Sequence, residues 1–220
     1  MIKDKQGSKD KQGTKGLEAA YSLKTPEDSE RYYGEWAGDY DRDFAQTMGY
    51  VFPAHLVARF RAEGGTAMEP ILDVGAGTGL VAEELSGEGL VIDAIDISRE
   101  MLEVAGAKGL YRDRIVGDLT KTLPIPDASY GALISSGTFT SGHVGAEAFG
   151  ELIRIARPGA LFCLGINPIV WESGGFQPAF DRLVEEGAIT RPERERVPIY
   201  EGAEHEHADD PGEIVVFRKR

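Results

Sequence analysis

The chain has 220 residues, 41% of them hydrophobic, and a formal net charge of −13. That length suits one ordinary domain with a sizeable core, and no apolar run approaches the roughly 20 residues a membrane-spanning helix needs. The charge is uneven: residues 1–16 carry +3, which leaves −16 on the other 204 residues, and a body that acidic repels phosphate backbones and argues against a general nucleic-acid binder.

The first 14 residues contain KDKQGS and KDKQGT back to back. So short a polar repeat cannot bury enough surface to fold, and it predicts a disordered tail over residues 1–16. No apolar signal-peptide core stands at the N-terminus, so the expected location is cytoplasmic, with no membrane partner. The folded domain is then expected over residues 17–220. Within it, residues 17–65 read as two N-terminal helices and residues 66–220 as the core. The first helix begins at TPEDSERYYGEW, with Thr25 as cap and Pro26 at the first helical position. The second starts at Pro53, runs through AHLVARFRAE and stops at Gly64–Gly65.

From Ile71 the pattern alternates. ILDV reads as a strand and GLVAEEL as a helix, LVIDAI as a strand and SREMLEVAGA as a helix. YRDRIVGD is a weaker strand and YGALIS a clear one. AEAFGELIRIA is a helix with Phe149, Leu152, Ile153 and Ala156 on one face, and the turn RPGA leads into the strand LFCLGI. PAFDRLVEEGAI reads as a helix, and ERVPIY and EIVVFRKR as two late strands joined by an acidic loop. Such alternation means a parallel sheet with helices on both faces.

The stretch ILDVGAGTGLV, residues 71–81, raises the functional question. Gly75, Gly77 and Gly79 let the chain bend sharply or be approached closely, and in an open parallel sheet a loop after the first strand is where ligands bind. A P-loop would need a lysine and a serine or threonine after its last glycine, where Leu80 and Val81 stand. A dinucleotide loop reads G-x-G-x-x-G, whereas this one reads G-x-G-x-G, and Asp73 just before it would sit badly near a pyrophosphate. Asp96, at the end of the second strand, lies where an acid reaches ribose hydroxyls, of NAD as readily as of another nucleoside. An acid beside the loop suits a ligand with positive charge, such as S-adenosyl-L-methionine.

In order and spacing, ILDVGAGTG, DIS..ML, GD before a proline-bearing loop, ISSGTFTSGHV and RPGALFCL resemble the class I S-adenosylmethionine-dependent methyltransferases. Within them, YYGEWAGDYDRD and SSGTFTSGHV resemble the methyltransferase-like group named after the Williams–Beuren region. One departure is Gly131 in YGAL, where many relatives have aspartate; an altered local turn is expected. The resemblance implies an α/β, Rossmann-like doubly wound fold: a mostly parallel seven-stranded sheet, an antiparallel C-terminal strand and N-terminal lid helices. It implies methyl transfer from S-adenosyl-L-methionine, with S-adenosyl-L-homocysteine as product, to an acceptor that is a small molecule or else a protein. The oligomeric state is left open.

It also implies roles for individual residues. Gly75, Ala76, Gly77 and Gly79 would let backbone pass close to the methionine moiety, with Asp73 orienting its amino group directly or through water. Asp96 would hold the ribose, Ile97 and Met101 would flank adenine, and Asp118 with Leu119 would take its exocyclic amine. Ser135 and Ser136 would face the sulfonium, and Trp36 and Tyr40 would close over the cofactor. His143, in a glycine-flanked loop past the fourth strand, is the candidate general base, or else an exposed loop histidine. Simpler readings stand beside these: the aspartates as loop caps, the aromatics as core, Cys163 as a buried structural thiol, and the EHEH of residues 204–207 as a solvated loop rather than metal ligands. An NAD(P)-dependent oxidoreductase and a noncatalytic S-adenosylmethionine-binding protein are the rival readings.

Overall fold

The pleat of the apolar central strands explains both layers of the core. The computed structural model describes residues 48–140, 144–202 and 208–220. Strands β1 (Ile71–Val74), β2 (Ile92–Asp96), β3 (Arg114–Val116), β4 (Tyr130–Phe139), β5 (Ala156–Ile166), β6 (Glu193–Pro198) and β7 (Pro211–Arg218) make one sheet in the order β3-β2-β1-β4-β5-β7-β6. The pairs among β1 to β5 are parallel, and β7 runs antiparallel between β5 and β6. The expected seven-stranded sheet with its antiparallel C-terminal strand is present.

Parallel strands buried on both faces carry apolar residues at successive positions. Leu72, Val74, Leu133, Phe162 and Leu164 point to one side of the sheet, and Ile71, Ile134, Leu161 and Cys163 to the other. Helices α1 (Phe52–Ala62) and α2 (Leu80–Glu84) cover the Ile71 side, with Leu56, Val57, Phe60 and Leu85 buried against it. α3 (Arg99–Ala107) joins the same side through Leu102, which packs on Ala94 and Ala76. α4 (Phe149–Ile155) and α5 (Phe176–Glu185) cover the opposite side, where the Phe149 and Phe180 ring centroids lie 4.9 Å apart and Phe162 stacks on Phe217 at 4.6 Å.

Several expectations change in detail. TPEDSERYYGEW lies outside the described residues, and the second N-terminal helix, α1, packs into the core layer through Leu56, Val57 and Phe60. The stretch AEAFGELIRIA divides into a 3-10 turn, Ala146–Ala148, and α4, and its buried face is Phe149, Leu152 and Ile155. Ala156 has already turned extended, at φ −79° and ψ 143°. RPGA is therefore no separate turn but a bulge inside β5: Tyr130 pairs with Ala156, and two residues later Ala132 pairs with Leu161. Gly131 has a steric reason: a Cβ there would run into the Met68 carbonyl oxygen, while its N–H donates to Pro70 O at 2.9 Å. Cys163 is fully buried, with Sγ 3.8 Å from the Leu56 carbonyl oxygen, and burial pushes its thiol well above the usual range, as suits a structural thiol.

Candidate cofactor site

The strand order reverses between β1 and β4, so the loop leaving β1 opens at the switch point of the sheet. Four hydrogen bonds and one close approach fix that loop. The N–H groups of Gly75 and Ala76 both donate to the Ile95 carbonyl, at 2.8 and 3.0 Å, which ties the loop to the end of β2. The hydroxyls of Ser135 and Thr138 donate to the Val74 carbonyl, at 2.6 and 2.9 Å. Gly75 has φ +66°, and a Cβ there would collide with Thr138, so β4 closes directly on the loop. Gly77 is also left-handed, at φ +54°, but a Cβ built there meets nothing within 4 Å. One glycine allows a close internal approach, and the other leaves open space.

Asp96 ends β2 on the same side. Its Oδ2 accepts the Gly77 N–H at 2.8 Å and its Oδ1 accepts the Ser98 N–H at 2.9 Å. Burial pushes this carboxyl up, and backbone N–H groups of Ser98, Gly77 and Ile97 oppose the shift. Ser98 then caps α3 by accepting the Met101 N–H at 3.2 Å, which places Met101 in the first helical turn beside Ile97. Asp118 follows β3 in a polar turn: Oδ1 accepts the Thr120 N–H and hydroxyl at 2.9 and 2.6 Å, and Oδ2 pairs with Lys121 at 2.9 Å. Burial pushes the Asp118 carboxyl up, but Lys121 and Thr120 outweigh it and hold it below the usual carboxylate range.

One cavity gathers Gly75, Ala76, Gly77, Asp96, Ile97, Met101, Asp118, Leu119 and Ser136 from the expected set. Asp118 is thus a turn cap and a cavity wall at once. Three expected residues stand behind the wall. Asp73 is fully buried: the Tyr111 hydroxyl donates to its Oδ2 at 2.6 Å, and its Oδ1 has no hydrogen-bond partner among the described residues. Gly79 backs on the Tyr111 ring, where a Cβ would lie 3.1 Å from Cε2. Ser135, expected at the sulfonium, is fully buried and spends its hydroxyl on Val74; only its neighbour Ser136 reaches the cavity. Trp36, Tyr40 and His143 lie outside the described residues, as does the EHEH stretch, and no group of three or more metal-type ligands occurs among those described.

The cavity also includes residues to which the sequence assigned no role. Tyr50 lines it, with its hydroxyl 2.9 Å from Ser136 Oγ, and Pro53, Gly137, Thr138 and Val144 complete that end. Tyr50 is held by an antiparallel bridge to Tyr200, a pairing across 150 residues that local patterning does not reveal. The segment after β5 adds neither Trp171 nor Phe176 to this cavity. Trp171 and Phe176 stack at 6.1 Å inside the aromatic core, and the Arg194 guanidinium lies 3.6 Å from the Trp171 ring centroid.

Comparison with known proteins fits this arrangement. Residues 72–164 match the family described as "Methyltransferase domain". Human methyltransferase-like protein 27 is 36% identical over 152 residues, covering 67% of this chain and 61% of that protein. Demethylmenaquinone methyltransferase of Renibacterium salmoninarum is 35% identical over 98 residues, covering 44% of this chain and 41% of its own length. The chain belongs to the class I S-adenosylmethionine-dependent methyltransferases. It spans under two thirds of the length of both relatives. The fold alone extends further: the cyclase SpnF superposes with a TM-score of 0.63 at 16% identity, over 90% of this chain and 97% of that one.

The cofactor of these methyltransferases is S-adenosyl-L-methionine, and the residues present fit it. The open face of Gly77 is a place that any side chain would fill. The oxygens of Asp96 accept backbone N–H groups and keep lone-pair capacity for vicinal hydroxyls. Asp73, at the end of β1 just before the loop, keeps a buried Oδ1 with no hydrogen-bond partner among the described residues, an acceptor to which a cationic group is suited. No helix among the described residues is long and apolar enough to cross a membrane.

Proposed function

We propose that the protein transfers a methyl group from S-adenosyl-L-methionine to a small acceptor held at the Tyr50–Thr138 end of the cavity. The observation that carries this reading is the convergence of the open Gly77 backbone and the Asp96 carboxylate on one cavity at the strand-order reversal. When bound, the cofactor supplies an electrophilic methyl on a sulfonium, whose carbon–sulfur bond breaks as the acceptor's lone pair bonds to carbon. Asp96 holds the ribose hydroxyls, Ile97, Met101 and Leu119 enclose the adenine, and Asp118 accepts from its exocyclic amine. The hydroxyl pair of Tyr50 and Ser136 orients the acceptor's polar group. Chemistry of this kind asks mainly for alignment and exclusion of water, and alignment alone is worth roughly 7–11 kcal/mol.

The acidic body favours a small acceptor over a nucleic acid. Titration calorimetry with S-adenosylhomocysteine and with NAD tests the cofactor: the first binds and the second does not. Incubation with methyl-tritiated S-adenosylmethionine and a cell extract then tests the acceptor, with label expected in the small-molecule fraction. Absence of S-adenosylhomocysteine binding ends this reading. Binding without transfer to any fraction leaves a noncatalytic binding protein.

A further inference from the structure

Tyr111 lies outside the cavity and outside every motif in the sequence, yet it touches two features beneath the site. Its hydroxyl donates to Asp73 Oδ2 at 2.6 Å, and its ring backs on Gly79. The same ring packs against the small cluster of Ala76, Ala94 and Leu102, so it supports the glycine loop from the side away from the cavity. Asp73 is fully buried and its second oxygen has no partner among the described residues. A buried carboxylate oxygen left alone is costly and calls for a partner, whether a ligand group or an ordered water.

We propose that Tyr111 is a positioning residue for the amino-acid moiety of the cofactor: it fixes one oxygen of Asp73, backs the glycine loop, and leaves the other oxygen to the ligand's ammonium group, directly or through water. This rests on the cofactor reading given above. The charges around the pair are few. Asp96 at the end of β2 and Glu83 on α2 add negative potential, and Lys108, just past α3, pairs with Glu83 at 3.2 Å. Burial pushes the Asp73 carboxyl up to about 7, the Tyr111 hydroxyl opposes that shift, and Asp96 reinforces it. Removing the hydroxyl raises the carboxyl further. More of Asp73 is then neutral near pH 7, and the ammonium group loses its counter-charge.

The test is Tyr111→Phe, which keeps the ring on Gly79 and deletes only the donor. Two ligands are titrated by calorimetry from about pH 6 to about pH 9: S-adenosylhomocysteine, and 5′-methylthioadenosine, which lacks the amino-acid moiety. In the variant, S-adenosylhomocysteine affinity near pH 7 falls about tenfold, as for one charge-assisted contact, and its rise with pH moves upward. Methylthioadenosine binds both proteins alike. Asp73→Asn gives the same contrast between ligands without the pH step, and serves if the tyrosine variant misfolds. Equal losses for both ligands, or unchanged S-adenosylhomocysteine affinity and pH midpoint, overturn the proposal and leave Tyr111 as packing. Failure of S-adenosylhomocysteine to bind the unmodified protein removes the cofactor reading itself and this inference with it.

Discussion

The backbone N–H of Gly77 meets the Asp96 carboxylate at 2.8 Å, across 19 residues of chain. The hydrogen bond joins the glycine loop after β1 to the acid that ends β2, so neither part of the site is set independently. The same carboxylate also accepts from Ser98, the residue that caps α3 and starts the turn carrying Met101. A single acid therefore fixes the loop and the helix start together and, in the proposed function, the ribose position as well.

Replacing Asp96 with alanine removes all three functions. S-adenosylhomocysteine affinity is expected to fall by about 1–3 kcal/mol, the scale of lost charge-assisted hydrogen bonds. Asp96→Asn keeps one carbonyl acceptor and recovers only part of the loss. Calorimetry on folded variants decides the matter, and unchanged affinity in Asp96→Ala rules out the ribose role.

The two left-handed glycines separate stability from binding. Gly75→Ala meets Thr138 as well as an unfavourable φ, and is expected to cost about 2–4 kcal/mol of folding stability. Gly77→Ala meets open space, so it pays only the backbone penalty of about 1–2 kcal/mol. Its methyl, however, projects into the space that the proposed function gives to the ligand, and affinity for S-adenosylhomocysteine is expected to drop about tenfold or more. Denaturant melts and calorimetry on the pair should show this crossover. Equal behaviour of the two variants contradicts it.

Asp73 makes the folded protein sensitive to pH in a definite direction. Its carboxyl is raised by burial to about 7, against a usual value near 4. Between those values the folded state binds more protons than the unfolded state, so this group's contribution to stability falls as pH rises through the window. The slope approaches about 1.4 kcal/mol per pH unit. Asp73→Asn keeps an acceptor for Tyr111 and abolishes the slope. Thermal melts of the ligand-free protein should show a flatter profile for the variant between about pH 4 and pH 7, and parallel profiles exclude a raised carboxyl.

The parts of the site that the sequence revealed are those carried by one local stretch each. ILDVGAGTG and IDIS place a loop or an acid at the end of a buried strand, and strand ends are where a parallel sheet binds ligands. Local patterning failed where partners come from distant segments. Ser135 and Ser136 are adjacent and alike in type, but alternation along β4 sends the first to the Val74 carbonyl and the second to the cavity. Trp171 and Phe176 sit in a glycine-containing stretch with no clear period, yet they belong to an aromatic core contributed by α4, α5 and β7. Tyr111 was invisible because its meaning depends on a contact 38 residues away.

α1 supplies the last test, because the sequence placed it with a lid and the structure places it in the core. Leu56, Val57 and Phe60 are fully buried against β4 and β5, while Arg61 on the outer side pairs with Glu88. Phe60→Ala should therefore destabilise the fold by about 3–5 kcal/mol through lost burial and the cavity left behind. Arg61→Ala, breaking a largely solvated ion pair, should cost less than about 1 kcal/mol. Neither residue reaches the cofactor cavity, so S-adenosylhomocysteine should bind the folded fraction of each variant as tightly as it binds the unmodified protein. A lid helix would show the reverse: nearly unchanged melting in Phe60→Ala, with ligand affinity taking the loss. Urea denaturation followed by titration at a temperature where both variants are folded separates the two, and α1 belongs to the core if stability moves while affinity holds.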